Sequence, residues 1–185
     1  LVDAIDLRGV KANTGNLIEG MEIKGTLGKL YAKADRIDLG KEIARLNKID
    51  LSDTAITLLM NDTTTNKDTT STAVNWKLML DQIDLDRVAF AMQIPGDSLR
   101  LSTYIDKAGL TDGIVDLGSA RYSASQFLLS GSSLSYDGSY SDPAPGFDPA
   151  HIALNDVNIR IDSLLYGGRD ISARIKKFSA NDRSG

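Results

Sequence analysis

The chain has 185 residues, no cysteine, 42% hydrophobic and 6% aromatic residues, and a formal net charge of -4. That length can bury one sizeable core, and the charge offers no general attraction to nucleic acid or acidic membranes. Without cysteine, neither disulfides nor thiolate metal sites contribute, and no apolar run approaches the roughly 20 residues of a membrane helix.

Leu1 sits directly in an alternating block, Val2-Asp-Ala-Ile-Asp-Leu7, with no signal peptide before it. Asn181 to Gly185 stops without a capping element, so both ends read as cuts through a longer protein. A turn-rich piece follows at Asn13-Thr-Gly-Asn16. From Met21 to Leu39 apolar residues alternate imperfectly, with Gly20, Gly25, Gly28 and Gly40 where turns and bulges belong. Residues 41–47, with Ile43 and Leu46 three apart, form the one short helix the local pattern allows.

Trp76 to Tyr104 states the grammar most fully. Large apolar residues fall at every second position: Trp76, Leu78, Leu80, then Ile83, Leu85, then Val88, Phe90, Met92, Ile94. The phase slips by one residue at Asp81-Gln82 and again at Asp86-Arg87. A slip would turn the next block to the wrong face unless a bulge or corner absorbs it. The segment is therefore expected to be a strand that bends at acidic corners while its oily side stays inward. Leu46 to Leu58 and Leu154 to Tyr166 repeat it: Leu, two polar residues, Ile or Val, Asp or Asn, Leu or Ile, then a second Asp. The downstream stretches from Tyr104 and from Arg174 also correspond. A degenerate repeat of strand-rich units implies stacking into an elongated array. Two polar stretches, near 61–73 and 137–149, interrupt it and read as flexible loops. Gly118 to Leu134 continues the sheet, and Gly167-Gly168 reads as a hairpin turn.

Catalytic chemistry finds little material. His151 is the single histidine, so any triad would have to be built on it, and an exposed strand-edge histidine is the plainer expectation. Asp50, Asp53, Asp84, Asp86 and Asp162 recur at equivalent places. They form no D-x-D-x-D-G calcium loop, and aspartates at strand corners, accepting backbone N–H bonds and blocking edge pairing, account for them. The triplets starting at Asp53, Asp97 and Asp162 match a short bacterial O-glycosylation pattern. Basic residues from Arg169 to Lys177 alternate with Ile171, Ala173 and Ile175 and read as a wet strand face, with no stacking aromatics to suggest nucleic acid.

The grammar of Trp76 to Phe90, His151 to Tyr166 and Arg169 to Gly185, the last with I-S-A-R-I-K-K-F-S-A-N-D-R-S-G, resembles the TamB/AsmA-like repetitive β-groove proteins of the Gram-negative envelope. The resemblance implies a long twisted sheet folded lengthwise into a trough (a β-taco), here one segment, 1–185, of a longer protein. It implies a periplasmic location in a protein anchored to the inner membrane by a segment absent from this chain. The implied function is bridge-like phospholipid transfer and outer-membrane biogenesis, with acyl chains as partners and an outer-membrane β-barrel assembly protein engaged through other parts. No enzymatic activity and no cofactor follow from it. The groove lining expected from the alternation is Ile83, Leu85, Val88, Phe90, Met92, Leu99, Leu101, Val157, Ile159, Ile161 and Ile175. The competing expectation is a closed β-sandwich or a β-helix binding module of a surface protein, for example one recognising glycans.

Overall fold

The computed structural model describes residues 3–15, 20–60, 75–138, 142–144, 148–167 and 170–182. These residues form β1 (Ala4–Asn13), β2 (Met21–Asp38), β3 (Ile43–Met60), β4 (Lys77–Ile94), β5 (Leu99–Asp116), β6 (Arg121–Asp137), β7 (His151–Gly167) and β8 (Asp170–Asp182), with one 3-10 turn at Pro95–Asp97. All eight strands lie in a single sheet in sequence order, open at β1 and β8. Neighbours are antiparallel except β3 and β4, which run parallel. The chain is all-β, and its sheet is not closed into a barrel. A sandwich would need a second sheet facing the first; the described residues make one. Seven inter-strand spacings give the sheet a length of about 34 Å across its strands.

Strands β2 to β5 each run 18 residues, where ordinary strands run about 3–10. They reach this length because each is broken into short straight facets by one-residue kinks, and the kinks line up across the sheet. At the first line, pairing skips from Leu46↔Leu80 to Ile49↔Ile83, from Leu80↔Gly113 to Gln82↔Thr111, and from Ala124↔Leu164 to Gln126↔Asp162. At the second it skips Gly9 with Gly28, Asp53 with Arg87, and Arg87 with Asp106. Backbone in the left-handed region marks both lines: Asp112 and Ser163 on the first, Gly9, Asp53, Arg87, Gly131 and Asp156 on the second. The two phase slips read at Asp81-Gln82 and Asp86-Arg87 are these two creases. Aspartate recurs there because, among residues with a side chain, Asp and Asn tolerate positive φ best.

The repeat also has a structural counterpart. The copies beginning at Leu46 and Leu80 are β3 and β4, paired in parallel with Ile49 on Ile83, Asp50 on Asp84 and Leu51 on Leu85. The third copy lies in β7, which runs the other way, so its two corners meet the creases in reverse order.

Three expectations need correction or limits. Residues 41–47 are not helical: Lys41 and Glu42 form a turn, Glu42 at φ 54, and β3 starts at Ile43. The three-residue spacing misled because Ile43 pairs with Lys77 on the polar face, while Leu46 pairs with Leu80 on the apolar one. The stretch 61–73 lies outside the described residues. Of 137–149, Asp137 closes β6, and the described residues 142–144 and 148 carry no strand.

Candidate functional site

Registers on successive strand pairs join into rows that cross the whole sheet. One runs Ile5, Ala32, Ile49, Ile83, Leu110, Phe127, Ile161, Ile175; the next runs Leu7, Leu30, Leu51, Leu85, Ala108, Leu129, Ile159, Phe178. Neither contains a charged or hydrogen-bonding side chain. Beyond the second crease the face continues through Ile56, Phe90, Thr103, Leu134 and Leu154. Polar groups on this face are turned back on the backbone: Thr54 Oγ1 donates to the Ser52 carbonyl, Thr103 Oγ1 to Ser133 and Ser132 Oγ to Ser130, at 2.8–3.1 Å. The hydroxyls are satisfied locally and leave the surface apolar.

Exposure shows which way the creases bend. On the apolar side of the second crease Thr54, Val88, Ser132 and Val157 are buried, while Asp53, Arg87, Gly131 and Asp156 on the other side are exposed. At the first crease Leu80 is buried, and a Cβ placed on Gly113 would lie 2.6 Å from Leu110 Cδ2 and 3.3 Å from Leu80 Cβ. Side chains converge on the apolar side and splay on the polar side, so the sheet is concave toward its oily face. Among the described residues no large side chain is fully buried. The interior is a lined surface and not a filled core.

Every residue expected to line a groove falls on this one face. Ile83, Leu85, Val88, Phe90 and Met92 follow one another along β4. Leu99 and Leu101 stand across from Ile94 and Met92 on β5. Ile159, Ile161 and Ile175 continue the rows on β7 and β8, with Val157 beside Ser132. Their exposure differs: Val88 and Val157 are buried, the others are half-buried, and Ile175 on the edge strand is exposed. The same alternation carried Leu30, Leu51, Phe127 and Leu129, which the sequence reading passed over. It also passed over the tilted ring pair of Tyr122 and Tyr166, 5.8 Å apart where β6 and β7 meet the rim.

The convex face is held by polar pairs across the creases. Arg87 donates to both Asp53 oxygens, at 2.7 and 3.0 Å, and to Asp86 at 2.7 Å. Asn47 donates to Asp81, Ser125 to Asp112 and Asn181 to Asp156. Of the five recurring aspartates, Asp53 thus pairs with a side chain of the next strand, while Asp50, Asp84, Asp86 and Asp162 meet Lys48, Gln82, Arg87 and Arg160 on their own strands, where backbone N–H partners were expected. Backbone N–H bonds go instead to the turn aspartates Asp38, Asp116 and Asp148. The Arg87 hydrogen bonds hold the Asp53 carboxyl below the ordinary carboxylate range. A carboxylate with a lowered folded pKa contributes stability above its unfolded pKa, and loses it as pH falls through the folded value. The melting-temperature gap between the protein and Arg87→Gln should thus be widest at neutral pH and narrow below about pH 4. A gap unchanged from neutral to acid pH would remove this pair as a stabilising contact.

His151 is buried, correcting the expectation of an exposed edge histidine. The Asp148 carbonyl accepts its N–H, and the Asp148 carboxylate accepts the Ala144 and Ala150 N–H groups. Its Nδ1 lies 3.2 Å from Asp137 Oδ1, while Nε2 has no hydrogen-bond partner among the described residues, and no base–nucleophile bond of a triad is assembled among them. Among the described residues no three acidic or histidine side chains converge on a metal position, and no helix is long and apolar enough to cross a membrane. Of the three triplet hydroxyls, Thr54 is buried and bonded, while Ser98, after the 3-10 turn, and Ser163, at the first crease within β7, have left-handed backbone. No protein-family model matches the chain, and no curated protein matches its sequence.

Proposed function

We propose that this chain is one segment of a lipid conduit, a trough whose apolar face holds acyl chains while polar headgroups stay in water along the open side. The observation that carries the reading is the set of uncharged apolar rows running unbroken across all eight strands on the concave face of an open sheet. A soluble protein rarely leaves so large an apolar surface uncovered without a ligand or partner for it. Acyl chains gain about 0.8 kcal/mol per CH₂ buried, so an open trough can retain a lipid without any polar recognition inside it.

Together with the resemblance to TamB/AsmA-like proteins, this supports reading the chain as part of a periplasm-spanning envelope protein anchored at the inner membrane. Its segment would carry phospholipid between the inner and outer membranes and support outer-membrane biogenesis, with a β-barrel assembly protein engaged elsewhere. Solvent extraction and mass spectrometry of the purified protein should recover co-purifying phospholipid, and a fluorescent fatty acid should bind saturably. A chain that carries no lipid and binds no fatty acid is not a conduit.

A further inference from the structure

The two creases divide each long strand unequally. On β3, residues 43–46 lie outside the first crease and 54–60 outside the second; on β4 these are 77–80 and 88–94. One wall of the trough is therefore four residues deep and the other seven, about 13 Å and 23 Å at the rise of a strand. The trough has a short wall and a long one.

Aromatic residues follow this division. On the apolar face Phe127 and Phe178 stand on the floor between the creases, and Phe90 stands just beyond the second. Rings with a polar tip gather at the lip of the short wall. Its last ladder row holds Tyr122 and Tyr166 beside Val115, and two residues back from Leu78 the same alternation places Trp76. The Trp76 carbonyl accepts the Leu117 N–H at 2.9 Å, so the ladder still holds there. Tyr166 is 48% exposed, and neither tyrosine hydroxyl nor the indole N–H has a protein partner among the described residues. The long wall carries one such ring, Tyr136, in a row with Leu58, Met92 and Leu101, and ends in Met60, Ile94 and Leu99.

Phenol and indole rings suit a boundary that is apolar at one end and wet at the other. Building on the trough as a lipid holder, we infer that phospholipid lies in it in one orientation. The glycerol esters rest at the short lip, and the acyl chains run down that wall to the floor. The hydroxyls of Tyr122 and Tyr166 and the Trp76 indole N–H donate to ester and phosphate oxygens, while the headgroup stays in water outside the lip. Wall depth selects this lip. The chains of one leaflet span about 15 Å, half the hydrocarbon core of a bilayer. From the short lip they reach the floor rows of Ile83 and Leu85; from the long lip they would end well above them and leave the floor bare.

Trp76 is the only tryptophan, so the native protein carries its own probe. It would be loaded with phosphatidylcholine brominated beside the ester or near the methyl end, then separated from vesicles. Bromine beside the ester should quench Trp76 fluorescence strongly, and bromine near the methyl end weakly. With the reporter moved to the floor, in Trp76→Phe combined with Phe127→Trp, the order should reverse. If that variant fails to fold, the order at native Trp76 decides alone. Tyr166→Phe should weaken phosphatidylcholine retention about fivefold, the loss of one ordinary hydrogen bond, relative to diphenylhexatriene, a hydrocarbon with no polar group. An unchanged ratio would remove the Tyr166 hydroxyl as a donor. Equal quenching from both positions, or the opposite order at Trp76, would overturn the orientation while leaving bound lipid in place. A protein that takes up neither phosphatidylcholine nor diphenylhexatriene would overturn the conduit itself, and the orientation with it.

Discussion

Phe90→Asp should leave the sheet folded and abolish retention of acyl ligands, whereas Val88→Asp, two residues away on the same face, should unfold it. Phe90 is half-buried on an arm of the trough, and a carboxylate there can stay hydrated from the open side. It would interrupt the apolar row from Ile56 to Thr103 and place a charge where an acyl chain must lie. Val88 is 6% exposed, inside the second crease beside buried Thr54. A carboxylate at that position has neither water nor a cation, and an uncompensated buried charge costs about 3–5 kcal/mol. Ile159→Asp should behave like Phe90→Asp, and Val157→Asp like Val88→Asp. Thermal unfolding with fluorescent fatty-acid titration separates the outcomes. If Phe90→Asp unfolds the protein as Val88→Asp does, the face is a closed core and the open-trough reading fails.

Gly28→Ala is expected to be the most damaging glycine substitution on the convex side. Gly28 lies across the second crease from Asp53, whose backbone is left-handed. A Cβ on Gly28 would sit 2.5 Å from the Asp53 carbonyl oxygen and 2.6 Å from its Cβ. Backbone cannot rotate away as a side-chain tip can, so β2 or β3 must shift and lose ladder bonds at the crease. The expected loss is about 2–4 kcal/mol, or roughly 5–10 °C in melting temperature. Gly109→Ala is the control. Its nearest neighbour would be Asp84 Oδ1 at 3.8 Å, and replacing a strand glycine there should be neutral or stabilising by about 0.5 kcal/mol. Equal melting temperatures for the two variants would mean that the crease at Gly28 is not held as tightly as its geometry requires.

Much of this architecture was legible before any coordinates because strand periodicity is strict. With a side-chain period of two, each one-residue slip had to become a physical corner, and Asp81-Gln82 and Asp86-Arg87 became the two creases. The eleven expected lining residues fell on one face for the same reason. Legibility ended wherever the outcome depended on a partner far away in the chain. Ile43 and Leu46 look like a helical pair until pairing with β2 and β4 makes their segment a strand, in which an odd spacing puts them on opposite faces. His151 looks exposed until the fold buries it, with Asp137, 14 residues earlier, beside its ring. Arg87 has no sequence mark as a keystone, since its partner Asp53 lies 34 residues earlier.

The amino-acid order by itself determined an all-β chain, its apolar and polar faces, the position of its corners and the recurrence of its unit. Those follow from local alternation and from the backbone preferences of aspartate and glycine. Only the tertiary structure decided that the copies at Leu46 and Leu80 lie side by side in parallel, that both creases close toward the apolar side, and that the sheet stays open. Those outcomes depend on which strands pair and on the convergence of residues such as Leu80, Leu110 and Gly113 inside a bend. No run of neighbouring residues encodes that convergence.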